Sequence, residues 1–150
     1  MTIGIARAAL LASAAAGLSG VAVSLAFAQK ENSPDKSVYA ELAKVPAKAR
    51  ARRNPLEGNA DAVAAGRKLF QEHCGECHGN SAEGTRRGPS LRAEEVQQAT
   101  AGTLFWTMTN GVVRRGMPVW SKLPEPQRWQ IVTYIKSLGT DTGATAHHPR

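Results

Sequence analysis

Two stretches of the chain place small or apolar residues at helical spacing, and the first lies just after residue 60. Its face consists of Val63, Gly66, Leu69 and Phe70. This spacing of three and four residues predicts an amphipathic helix. Asp61 stands near its start and is a candidate helix cap.

The second stretch predicts a helix that ends close to residue 140. Its apolar face consists of Ile131, Tyr134, Ile135 and Leu138. Pro124 and Pro126 open this helix, where proline is tolerated because the first-turn N–H groups have no partner within the helix. Gly139 closes it, as glycine commonly does at a helix end.

Two shorter helices are predicted between these stretches, over Glu94–Ala99 and Thr103–Thr109. The second ends at Asn110-Gly111, a pair that favours a helix C-terminus. No stretch alternates apolar and polar residues long enough for a convincing strand. The predicted fold class is therefore all-α.

Residues 1–28 have the pattern of an export signal. Arg7 is the only charged residue before Lys30, and the apolar run ends in Ala26-Phe27-Ala28. Small residues at these positions are typical of a signal-peptidase site. The run is also near the roughly 18 residues that can span a bilayer, so an uncleaved anchor stays an alternative. Either way, the rest of the chain is predicted to be periplasmic.

The remaining residues divide into a basic segment, a folded domain and a tail. Residues 29–59 carry many cations and several helix breakers, which favours a flexible tether. A patch that touches anionic lipid or a partner protein is the alternative. Residues 60–139 form the predicted domain, and residues 140–150 form a polar, disordered tail. A domain of about 80 residues is small, so a staple or prosthetic group is expected to complete its core.

Charge and cysteine content narrow the function classes. The net charge is +7, which favours acidic protein partners or membrane surfaces over nucleic acid. The chain has two cysteines, Cys74 and Cys77. An exported disulfide framework needs more cysteines with wider spacing, so this pair is not expected to act as a staple.

Cys74-Gly75-Glu76-Cys77-His78 is a Cys-x-x-Cys-His motif, which is typical of covalent haem attachment. Two thiols one helical turn apart can reach the two vinyl groups of a porphyrin, and the next histidine then lies below the iron. Thiol–disulfide chemistry is an alternative, but it needs a βαβ context that the sequence lacks. Structural zinc needs about four ligands.

The second axial iron ligand has several candidates. Met108 lies at helical spacing in an apolar stretch, which favours a place in the core. Met117 lies between Gly116 and Pro118, in an irregular loop that can aim a thioether inward. From the residues alone, ligation by Met117 and a buried loop methionine both stay open. His147 and His148 provide a bis-histidine alternative from the tail.

The stretch from Gly66 to Leu138 resembles the class I c-type cytochromes, which are small all-helical electron carriers. Gly66 and Phe70 match the family's N-terminal helix, and Ile131 and Tyr134 match its C-terminal helix. The resemblance implies that these helices cross closely, with one covalent haem c bound in the domain.

Two loop motifs carry the resemblance further. Gly88-Pro89-Ser90-Leu91 resembles a loop in which the Pro89 carbonyl would accept a hydrogen bond from His78. Gly116-Met117-Pro118-Val119-Trp120 resembles a methionine loop, which implies that Met117 is the second ligand. Trp120 would then lie near the haem edge and donate to a propionate, with a plain core tryptophan as the alternative.

These residues predict a monomeric electron carrier rather than an enzyme. Arg86-Arg87 and Arg114-Arg115 precede the two loops and would form a basic collar for redox partners with acidic docking faces. The alternative function is that of a haem c subunit in a periplasmic dehydrogenase or oxidase complex. A haem enzyme or gas sensor with an open iron position is a further alternative.

Overall fold

The computed structural model describes residues 36–140. The predicted signal over residues 1–28, the first part of the predicted tether and nearly all of the predicted tail lie outside these residues. The described part contains seven α-helices and two short 3-10 turns, over Lys36–Tyr39 and Val113–Arg115. The α-helices are α1 (Ala40–Ala43), α2 (Ala47–Arg50), α3 (Ala60–His73), α4 (Gly75–His78), α5 (Glu94–Gln98), α6 (Ala101–Asn110) and α7 (Glu125–Thr140).

The all-α prediction is confirmed. Across residues 36–140, extended pairing is limited to one antiparallel bridge between Val112 and Met117. None of the described helices combines the length and apolar character of a membrane span.

Helices α3 and α7 cross at a close contact, as the resemblance implied. A Cβ atom on Gly66 would lie 1.9 Å from the carbonyl oxygen of Gln130, so glycine allows the two backbones to approach. Phe70 is fully buried beside this point, and its ring centroid lies 5.3 Å from that of Tyr134. The apolar faces predicted for the two long helices therefore form the centre of the core.

The helix ends differ slightly from the predictions. The side chain of Asn59, not Asp61, caps α3, because the Asn59 amide oxygen accepts from the Ala62 N–H at 2.8 Å. Helix α6 begins two residues before the predicted Thr103, since the Thr100 hydroxyl accepts from the Thr103 N–H and starts the helix earlier. Helix α7 continues one residue past Gly139.

The prediction of a flexible tether over residues 29–59 is wrong for its described part. Tyr39 and Val45 are only 6% and 2% exposed. The buried Asn54 amide donates to the Thr133 hydroxyl at 2.8 Å, which ties this segment to α7. The segment packs because Val38, Tyr39, Leu42 and Val45 recur at helical spacing, a pattern that the many nearby cations conceal.

The middle of this segment lies directly against α6. A Cβ atom on Gly102 would lie 2.3 Å from the carbonyl oxygen of Ala49, so this contact also depends on the absence of a side chain. Arg52 pairs with Glu125 at 2.7 Å, and its guanidinium lies over the rings of Phe105 and Trp129. The basic segment before α3 therefore contributes packing as well as charge.

Gly66→Ala should destabilise the fold strongly, because the added methyl group overlaps the Gln130 carbonyl. We expect a loss of about 2 kcal/mol in unfolding free energy from forced overpacking. This loss lowers the melting temperature by roughly 8–16 °C in a domain of this size. Thermal unfolding followed by circular dichroism measures the change.

Ala64→Leu is the matched control, because Ala64 is exposed on the same helix. Its melting temperature should stay close to that of the unaltered protein. An equal loss in both variants would show that helix content, and not the crossing with α7, limits stability.

Candidate functional site

The Cys-x-x-Cys-His motif forms one tight turn at the end of α3. Cys74 caps α3, and its carbonyl accepts from the N–H groups of Cys77 and His78 at 3.1 and 2.9 Å. Residues three and four positions apart share one face of a helical turn. Both thiols are free and half-buried. The turn thus presents two thiols and one imidazole together.

His78 is oriented by a backbone carbonyl. Its Nδ1 donates to the Pro89 oxygen at 2.8 Å. Because a carbonyl can only accept, this contact places the imidazole proton on Nδ1 and leaves the Nε2 lone pair available to a metal. Burial lowers the pKa of His78, and the Pro89 hydrogen bond acts in the opposite direction. A neutral imidazole is the form that ligates iron.

The loop that brings Pro89 to His78 is held against the motif at several points. The Gly84 N–H donates to the His78 carbonyl at 2.7 Å, and the Thr85 hydroxyl donates to the Cys77 carbonyl at 2.5 Å. A Cβ atom on Gly88 would lie 2.9 Å from the Cys77 oxygen and 3.2 Å from Cε1 of His78. The loop therefore reaches the histidine only with glycine at position 88.

The chemistry of Cys74 argues against thiol–disulfide exchange. Burial, followed by the nearby Cys77, raises the pKa of Cys74 to about 12. Redox-active cysteines have lowered pKa values, since the thiolate is the attacking species. Cys74 in the folded chain is instead a neutral thiol.

A metal site built from protein side chains alone also lacks support. Within residues 36–140, no cluster of three or more histidine, cysteine or acidic side chains could hold a metal ion. The bis-histidine alternative with His147 and His148 lies outside the described residues.

The methionine loop is organised by backbone pairing. The Val112 N–H donates to the Met117 carbonyl at 3.0 Å, and the reciprocal bond measures 3.2 Å. Gly116 has a φ of +86°, which favours glycine at this turn. Met117 is half-buried, whereas Met108 is buried in the core, as its helical spacing predicted.

Trp120 links the methionine loop to two other elements. Its backbone N–H donates to the Met108 carbonyl at 3.2 Å. Its ring centroid lies 5.6 Å from that of His73, the last residue of α3. The sequence did not indicate this pairing with His73, because nothing in the local pattern of either residue points to the other.

Direct contacts join Cys74, Cys77 and His78 to one another and His78 to Pro89. Met117 is hydrogen-bonded to Val112, and Trp120 contacts Met108 of α6 and His73. No hydrogen bond within the described residues links Met117 to His78. Two free thiols, an imidazole with an open Nε2 and a thioether form a donor set that fits haem c.

Two contacts near the site come from the segment before α3 and were missed at the sequence level. The Tyr39 hydroxyl donates to the Ser90 carbonyl at 2.9 Å. Glu41 lies 3.9 Å from the Arg115 guanidinium. Both join residues far apart in the chain, so no short-range motif could have indicated them.

Comparisons with known proteins agree with this geometry. Residues 61–135 match the family described as cytochrome c oxidase, cbb3-type, subunit III. The chain is 32% identical over 96 residues to the cbb3-type cytochrome c oxidase subunit CcoP of Azospirillum sp. (strain B510), covering 57% of this chain and 32% of that protein. It is 36% identical over 85 residues to the subunit FixP of Bradyrhizobium sp. (strain ORS 278), covering 51% and 28%.

A solved structure shows the same fold. Cytochrome cL from the marine methylotroph Methylophaga aminisulfidivorans MPT aligns with a TM-score of 0.51 and 29% identity, over 57% of this chain and 60% of that one. The chain spans about a third of the length of the curated relatives that it matches.

Gly88→Ala should weaken the hydrogen bond between His78 and Pro89, because the new methyl group pushes the loop away from the Cys77 carbonyl. In the haem-loaded protein, a less electron-rich imidazole raises the reduction potential. A hydrogen bond that stabilises the oxidised form by about 1 kcal/mol more than the reduced form corresponds to roughly 40 mV for one electron. A redox titration followed by visible spectroscopy measures the shift in reduction potential.

Pro89→Ala is the control, because it keeps the accepting carbonyl. Its potential should shift much less than that of Gly88→Ala. Equal shifts in the two variants would mean that the proline ring, and not the carbonyl, controls His78.

Proposed function

The chain belongs to the class I c-type cytochrome family, and from this premise we propose that it binds one haem covalently and passes single electrons between respiratory or dehydrogenase partners in the periplasm. The observation that carries the proposal is the 2.8 Å contact between His78 Nδ1 and the Pro89 carbonyl, next to two free thiols. Haem c, when bound, supplies a one-electron iron couple.

Cys74 and Cys77 are the residues that would hold the haem through thioethers. A neutral, half-buried thiol such as Cys74 has little tendency to exchange with disulfides, so a permanent thioether fits its surroundings better. Two covalent links also prevent loss of the group outside the cytoplasm.

His78 and Met117 are the proposed axial ligands. The Pro89 carbonyl keeps the proton on Nδ1, so Nε2 of His78 would be the nitrogen that holds the iron. Met117 stands in a loop that the bridge to Val112 fixes, and its half-exposed position leaves the thioether accessible to a group bound beside it. If both residues held the iron, it would have no open position for oxygen, and the domain would act as a carrier rather than as an enzyme or gas sensor.

Trp120 is proposed to border the haem. Its packing against His73 places the indole next to the residue that precedes Cys74. A hydrogen bond from its N–H to a propionate remains part of the proposal.

The surface beside Met117 supports docking of a redox partner. Val113 and Val119 are 69% and 50% exposed, close in sequence to Met117. Arg86 and Arg114 are exposed and form no ion pair within residues 36–140, whereas Arg87 pairs with Glu76. Exposed valines and the cation of Arg114, close in sequence to Met117, would suit a partner with an acidic docking face, and the docking rate would then fall with salt.

Membership of a larger complex is the second candidate function. The curated relatives are named as oxidase subunits, and each is about three times as long as the part matched here. A haem c domain in such a complex uses the same ligands, so the site alone supports both roles.

Met117→Leu should open one iron position, because leucine fills the space but provides no sulfur. We expect the reduced variant to bind carbon monoxide readily and its reduction potential to fall, since a thioether ligand raises the potential. Visible spectra before and after addition of carbon monoxide measure this effect.

Met108→Leu is the matched control, because Met108 is buried in the core and a Leu-for-Met exchange costs less than about 1.5 kcal/mol. It should keep a low-spin spectrum that carbon monoxide does not change. A Met117→Leu protein that also ignores carbon monoxide would show that another residue fills the second position.

Mild-detergent purification from the native membrane and periplasmic fractions tests the two roles against each other. A free carrier should elute in size-exclusion chromatography as a monomer. Elution of the haem signal with other subunits, stable in 0.5 M salt, would instead identify a component of an oxidoreductase complex.

A further inference from the structure

Residues 36–45, called here the strap, precede the part of the chain that matches the cytochrome family. We propose that the strap positions two loops, the one whose Pro89 carbonyl orients His78 and the one that carries Met117, with Tyr39 as the main positioning residue. This inference rests on the proposed function, because it takes His78 and Met117 as the ligands. It adds a device that lies outside the matched residues 61–135.

The first contact of the strap is with the loop Gly88-Pro89-Ser90-Leu91, called here the proline loop. Tyr39 is buried, and its hydroxyl donates to the Ser90 carbonyl at 2.9 Å. Ser90 directly follows Pro89, whose carbonyl accepts from His78. The Tyr39 hydroxyl therefore holds the peptide next to the one that orients the iron ligand.

Burial, aided by the nearby Glu95, raises the pKa of Tyr39. The hydroxyl thus keeps its proton and its donor role throughout the neutral range. The Ser90 hydroxyl also donates to the Ala82 carbonyl at 3.3 Å, so this part of the loop is held from two sides.

The second contact of the strap is with the methionine loop. Glu41 lies 3.9 Å from Arg115, and it accepts from Lys44 at 2.7 Å. Arg115 stands two residues before Met117. The hydrogen bond from Lys44 is the main cause that lowers the pKa of Glu41, so the carboxylate is charged at neutral pH. Exposed pairs are weak, which ranks this contact below that of Tyr39.

The strap can act on these loops because its other end is fixed. Val45 is buried, and the segment that follows lies against Gly102 of α6. The Thr100 hydroxyl donates to the Arg50 carbonyl at 2.8 Å, and Asn54 donates to Thr133 of α7. Tyr39 therefore reaches the Ser90 peptide from an element anchored to the core.

Loss of the Tyr39 hydroxyl frees the Ser90 peptide and lets the Pro89 carbonyl move away from His78. The imidazole then becomes less electron-rich, which favours reduced iron. Tyr39→Phe should raise the reduction potential, in the same direction as Gly88→Ala. A purely structural tyrosine would change the melting temperature and leave the potential unaltered.

Tyr134→Phe is the matched control. Tyr134 is the other tyrosine of the chain, and it is also buried, against Phe70. The two variants each lose one hydroxyl group from a buried ring. Redox titration and thermal unfolding of the haem-loaded proteins should show a raised potential for Tyr39→Phe only, whatever the two melting temperatures are.

Glu41→Gln tests the second contact. In the oxidised, haem-loaded variant, we expect added imidazole to replace Met117 as the iron ligand up to a few-fold faster than in the unaltered protein. The effect should be small because an exposed ion pair contributes little free energy. Glu57→Gln, an exposed carboxylate beyond the strap, should leave this rate unchanged.

The outcomes separate the strap from the proposed function. If the unaltered protein lacks covalent haem or a low-spin spectrum, the proposed function fails, and the strap proposal fails with it. If that spectrum is normal and Tyr39→Phe has an unchanged potential, the strap proposal alone is overturned. A potential shift of equal size in Tyr134→Phe would overturn it as well.

Discussion

The contact between α3 and α7 at Gly66 determines where the site lies. The carbonyl of Gln130 occupies the space that a side chain at position 66 would need, so the two backbones meet there at one fixed separation. Helix α3 continues from this contact into the turn of Cys74, Cys77 and His78. The position of the ligand turn relative to the core therefore follows from a single glycine and the helix that it touches.

Much of the fold could be predicted from the sequence, because its signals are local. The two long helices follow from apolar residues at helical spacing, and the turn that brings two thiols and an imidazole together follows from five consecutive residues, Cys74–His78. The helix starts were less accurate, since Asn59 and Thr100 cap helices one or more residues before the positions that the apolar pattern favoured. The predicted flexible tether is instead packed against the core in its described part. Tyr39 and Asn54 find their partners, Ser90 and Thr133, in distant elements, and those contacts leave no trace in the local pattern.

A free electron carrier and a subunit of a larger complex would use the same chemistry. The two roles differ in whether partner subunits cover the surface of the domain. The family match covers residues 61–135, which include the Cys-x-x-Cys-His motif and the loops of Pro89 and Met117 but not the segment before α3. That segment contributes Tyr39 and Glu41 near the loops and Arg52 on the aromatic pair of Phe105 and Trp129. Since Arg52 is paired with Glu125 and lies over aromatic rings, it is a packing residue rather than a cation available to partners.

The crossing of α3 and α7 also sets an order of events during synthesis. The two thiols leave the ribosome about 50 residues before α7, the helix that completes the core around α3. Until α7 arrives, Cys74 is not buried, and its thiol keeps the reactivity of an unfolded chain rather than the raised pKa of about 12 that burial imposes. The chain thus presents both thiols early and encloses Cys74 late. A group that joins these thiols would therefore reach them more easily in an open polypeptide than in the folded chain.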